Sequence, residues 1–145
     1  MKWKATAIAA LVLWVFTVAV LVLWNKKSDD AREKITLPEM GRAKVLSEMR
    51  GMLESLRDIE QAAKTNDYAA IAAAAHKSGT TFMVDDGPLM KIVPADMLRM
   101  GLSVHQGFDK IEQAALAKKP AAEIHKQVAD ILTTCTACHA QFRLH

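Results

Sequence analysis

Cys135, Cys138 and His139 stand in the run Cys135-Thr136-Ala137-Cys138-His139, and the two cysteines are the only ones among 145 residues. Two thiols at this spacing can add across the two vinyl groups of one porphyrin, and the imidazole that follows can bind its iron. In a helix the three residues fall at i, i+3 and i+4 and share a face. Only Ala140 to His145 follow the motif, so a sixth iron ligand would come from upstream and the group would sit on the last helix. The spacing therefore predicts one covalently attached haem c. Other uses of the pair fit worse: a thioredoxin-like dithiol expects a strand-to-helix setting, and zinc expects a second ligand pair at short range. No general acid, base or nucleophile constellation accompanies the motif, so an enzyme is not expected.

The elements that would position these residues are helices, because apolar side chains recur at helical spacing along the chain. Thr36-Leu37-Pro38-Glu39 has the pattern of a capping box. Leu37, Val45, Met49, Met52, Leu53, Leu56, Ile59 and Ala63 then share one face, which predicts a first helix to about Lys64. Thr65-Asn66-Asp67 breaks it, and an alanine-rich second helix is expected from Tyr68 to about Val84. Gly87, Pro88 and Pro94 mark a connection over 85–95. The third helix is expected over Asp96 to Ala117, with Met97, Met100, Val104, Phe108, Ile111 and Ala115 in register. Beyond Lys118-Lys119-Pro120, a stripe of Ile124, Val128, Ile131, Cys135, Cys138 and Phe142 belongs to the fourth, with His139 on it. No convincing strand signal is present. The fold class expected is all-α, an antiparallel four-helix bundle over residues 37–145.

Residues 1–24 read differently. After Lys2 and Lys4 the run Ala5 to Trp24 carries no charge, and a helix of that length rises about 30 Å, the thickness of a bilayer core. The expectation is one transmembrane helix ahead of the bundle, uncleaved because no small-x-small site precedes Asn25, with Trp3 and Trp24 at the interfaces. Residues 25–36 (NKKSDDAREKIT) read as a charged linker. Lys26 and Lys27 match Lys2 and Lys4, so charge does not set the orientation. Beyond the anchor, 17 of the 19 basic residues face 16 acidic ones. That balance gives little long-range steering, and no nucleic-acid partner is expected.

A haem motif ending the fourth helix of a bundle resembles class II c-type cytochromes, the cytochrome c prime family and its low-spin relatives, over about residues 36 to 145. A weaker similarity to the b-type bundle cytochrome rests on Met49-Arg50-Gly51-Met52-Leu53-Glu54-Ser55-Leu56-Arg57-Asp58-Ile59-Glu60-Gln61-Ala62 and on Leu132-Thr133-Thr134 through His139 to Phe142-Arg143. The resemblance implies His139 as proximal iron ligand and Met49 as distal ligand. Counted back from the end of the first helix, Met49 lies where class II cytochromes place the distal residue. A thioether there completes six-coordination and favours electron transfer. An open distal side would instead give a five-coordinate, high-spin protein that binds nitric oxide or carbon monoxide. Leu46, Met40 and Met52 are the neighbouring distal candidates. Many cytochromes c prime carry an arginine four positions before the distal residue; Val45 stands there for Met49, and Arg42 for Leu46.

Arg143, one turn beyond His139, is a candidate contact for a haem propionate. His76 and His105 lie mid-helix and read as satisfied or surface imidazoles, with His125 on the polar side and His145 terminal. The resemblance further implies a bacterial inner-membrane, single-pass protein with its haem domain in the periplasm. Its partners would be membrane or periplasmic redox proteins as electron donor and acceptor, and the lipid bilayer through the N-terminal helix. Assembly as a subunit of a larger oxidoreductase and a homodimer are left open.

Overall fold

The computed structural model describes residues 2–24, 30–82 and 87–145, which fall into two units, residues 1–31 and 32–145. In the first unit, α1 spans Lys2–Trp24. Among the described residues, no helix is long and apolar enough to cross a membrane. The transmembrane anchor expected for residues 1–24, and the single-pass inner-membrane location built on it, are corrected accordingly. That expectation rested on an uncharged run, Ala5 to Trp24, long enough as a helix to rise about 30 Å.

The second unit runs β1 (Glu33–Ile35), α2 (Glu39–Ala63), α3 (Tyr68–His76), a 3-10 turn at Thr80–Phe82, α4 (Gly87–Met90), α5 (Ala95–Leu116), α6 (Ala121–Gln141) and β2 (Phe142–Leu144). The long helices pack in a ring, α2 on α3, α3 on α5, α5 on α6 and α6 back on α2. Their apolar stripes meet in a core in which Phe108, Ile59, Ile71, Ile111 and Ile124 are fully buried. Close approach of α5 and α6 needs Gly107, where a Cβ would lie 2.6 Å from Ile131 Cγ1. A second, smaller cluster joins Ile35, Leu37, Met97 and Phe142, with Met49, Cys138 and Leu144 packed against it.

Three local expectations change. No side chain caps α2, which begins after Pro38 rather than in a Thr36 capping box; Leu37 is instead buried in the smaller cluster. The second helix ends at His76, because the Asp109 carboxylate offers the chain an alternative to further helix. It accepts from Thr80 N at 3.1 Å and from Thr80 Oγ1 at 2.7 Å, which turns the segment into the 3-10 form. The helix end expected at Val84 and the start of the loop at Asp85 lie outside the described residues.

The third change concerns strands. Part of the segment read as a charged linker pairs in parallel with the chain's end, Glu33 opposite Phe142, Lys34 opposite Arg143 and Ile35 opposite Leu144. Both partners are three residues long. That is too short for alternating polarity to show in the sequence. The linker positions 25–29 lie outside the described residues. Within the expected breaks, Asp67 caps α3, accepting from Ala70 N at 3.0 Å.

Candidate functional site

The final stripe of apolar residues places the Cys-X-X-Cys-His run in the last two turns of α6. Cys135 packs against the bundle core and Cys138 against the smaller cluster. Both thiols are half-buried and unbridged. Burial pushes the Cys135 thiol up, against a smaller opposing backbone hydrogen bond; burial, with Cys135 beside it, does the same to Cys138. Such thiols are poor thiolates near neutrality, the opposite of the activated cysteine of a redox dithiol. His139 is exposed, and α6 ends directly after it where the Phe142 N–H donates to the Cys138 carbonyl.

Next to this turn lies a cavity of about 310 Å³. Its lining brings together four of the five residues singled out from the sequence: Met49 from α2, Cys138 and His139 from α6, and Arg143 from β2. Cys135 is not in the lining. Of the other distal candidates, Leu46 shares the cavity and so does Arg42, whereas Met40 is 86% exposed and Met52 faces a different cavity. Four lining residues were not singled out for the site: Arg32, Met97, Phe142 and Leu144. Met97 was legible only as one core position among eight methionines, and Arg32 carried no periodic signal at all.

The residues present fit a tetrapyrrole. Leu46, Met49, Met97, Phe142 and Leu144 give an apolar lining for a flat ring, while Arg32, Arg42 and Arg143 supply guanidinium groups suited to carboxylates. Two thioethers, Met49 and Met97, and one imidazole, His139, belong to the same lining, and a thioether with an imidazole is the usual axial pair of an electron-transfer haem. Among the described residues no cluster of three or more His, Cys, Asp or Glu is arranged to hold a bare metal ion; a porphyrin brings four ligands of its own.

A second cavity, about 280 Å³, is lined by Glu48, Met52, Lys77 and His105 among others. His105 is buried and fully engaged. Its Nδ1 donates to the Ser78 carbonyl at 2.8 Å, and its Nε2 lies 3.2 Å from Glu48 Oε1. Ser78 Oγ in turn donates to Ser55 Oγ at 2.9 Å. With both ring nitrogens committed, His105 is a cross-bundle tie between α5 and α2 rather than a general base. His76 and His125 are exposed and pair with Glu112 and Glu60.

Burial alone would lower the His105 pKa, but the Glu48 hydrogen bond, the Ser78 carbonyl and the charges of Glu48 and Asp109 together leave it raised above its usual 6.5. A raised folded value means the imidazolium adds stability fully below the unfolded pKa and loses it as pH rises through the folded one. His105→Gln is expected to cost about 1–3 kcal/mol in acid, with the difference from wild type shrinking at higher pH. Urea midpoints measured between pH 5.5 and 9 check this; a pH-independent difference would contradict it.

Comparison of the chain with family models, curated proteins and solved structures gives no match.

Proposed function

We propose that the chain is a monohaem c-type cytochrome that transfers electrons, its haem fixed by Cys135 and Cys138 and ligated by His139 and Met49. The observation that carries this reading is the single cavity at which Met49, Cys138 and His139 meet, from helices far apart in sequence, inside an apolar lining with arginines. When bound, haem supplies one-electron chemistry between ferric and ferrous iron. The residues would do the rest. Cys135 and Cys138 hold the group to a helix whose inner face is anchored by Ile124, Val128 and Ile131. His139 from α6 and Met49 from α2 would supply an imidazole and a thioether as iron ligands, on helices whose packed core limits their movement. The exposure of His139 leaves an edge at which a redox partner can approach.

A second reading draws on the same lining. Arg42 and Leu46 also face the cavity, the pair expected of a five-coordinate protein that binds nitric oxide or carbon monoxide. Both readings require covalent haem. Expression with a haem-attachment system should yield a pyridine haemochrome spectrum of the c type that survives acid-acetone extraction. Replacing both cysteines with serine should leave haem that extracts completely. Failure of the wild-type chain to retain haem under these conditions would remove both readings.

A further inference from the structure

Three arginines line the cavity, and among the described residues no acidic side chain lines it. One of them, Arg32, comes from outside the helices. It precedes β1, and its Nη1 donates to the carbonyl of His139 at 3.2 Å. That carbonyl lies in the last turn of α6, where the helix has no partner of its own for it, and a cation there is also favoured by the helix dipole. A lone pair of three-residue parallel strands has little stability by itself, yet this one is anchored at several points. Ile35 and Leu37 are buried in the smaller cluster, and the His145 N–H donates to the Ile35 carbonyl at 3.0 Å. The strand pair thus fixes Arg32 between the haem-motif turn and the cavity.

We propose that Arg32 and the strand it opens form a strap that recognises a carboxylate on the edge of a bound porphyrin and ties that contact to the backbone of the haem-motif turn. The inference rests on the haem reading of the cavity and goes beyond it in assigning the carboxylate site. A guanidinium carries five N–H donors in a fixed fork, enough to serve the His139 carbonyl and a carboxylate together. Arg42 and Arg143 add two further guanidinium groups to the same lining. The arrangement favours a flat apolar ligand with acidic groups on one side over the same ring with those groups masked. Arg32 acts here as a positioning residue, since it holds the edge of the group and the turn that ends in its proximal ligand.

The test uses the full chain carrying Cys135→Ser and Cys138→Ser, with ferric protoporphyrin IX and its dimethyl ester as probes in equilibrium titrations. The acid should bind more tightly than the ester. Arg32→Gln should weaken the acid about tenfold, the value of one charge-assisted hydrogen-bonded contact, and leave the ester unchanged. Arg32→Lys should recover only part of that loss, because an ammonium keeps the charge but lacks the fork that serves both groups. Equal affinity of the Arg32 chain for acid and ester overturns the proposal without any further substitution. So does an equal loss of both probes in Arg32→Gln, or Arg32→Lys binding the acid as tightly as the Arg32 chain. Absence of covalent haem in the wild-type chain ends the cytochrome reading, whereas the preference for acid over ester is read independently of it.

Discussion

Met49→Ala should replace sharp low-spin bands in the reduced spectrum with a broad high-spin spectrum, and should open the iron to carbon monoxide. The effect is expected to be nearly complete, because a methyl group cannot supply the thioether's lone pair and no neighbouring turn of α2 offers a substitute: Met40 is exposed and Met52 faces the second cavity. The structure nevertheless adds a rival that spacing within the first helix does not reveal. Met97, at the start of α5, is buried and lines the same cavity. Met97→Ala is therefore the paired measurement, and it should keep the low-spin bands. If Met97→Ala abolishes them and Met49→Ala does not, the distal ligand comes from α5. A broad high-spin spectrum in the wild type would end methionine ligation altogether and favour the gas-binding reading, in which Leu46 and Arg42 face an open site.

Phe108→Ala should destabilise the unit by about 3–5 kcal/mol, since the side chain is fully buried where the long helices meet. Loss on this scale is a large fraction of the 5–15 kcal/mol that holds a typical domain together, and urea or thermal unfolding would read it as a pronounced fall in midpoint. Leu116→Ala, on the same helix but 70% exposed, should change stability by no more than about 0.5 kcal/mol. The contrast separates the stripe that fills the core from apolar residues that merely occur on α5. Comparable losses at the two positions would mean that the packing described for α5 is wrong.

The bundle helices were legible where period and burial coincide. Val104, Phe108, Ile111 and Ala115, and likewise Ile124, Val128 and Ile131, were placed on inward faces by spacing alone, and they are buried. Leu53 shows the limit of that logic: it fits the stripe of α2 yet is 64% exposed, because periodicity marks a face and not its edges. The end of α3 depended on Asp109, which lies 29 positions beyond the Thr80 it holds, and the strand pair joins residues at opposite ends of the second unit. No local pattern encodes either. The uncharged run over residues 5–24 reads as a membrane span, yet among the described residues no helix is long and apolar enough to cross a membrane.

What the sequence by itself determined is the chemistry on offer: two thiols and an imidazole on one helical face, because covalent spacing and the helical repeat are both local. It also named Met49 and Arg143 as candidates. Which of eight methionines share a cavity with His139, and that Met97, Arg32 and Arg42 share it as well, only the tertiary structure decided. The physical reason is that a cavity wall is assembled from residues distant along the chain, whose common neighbourhood is set by how α2, α5, α6 and the strand pair pack.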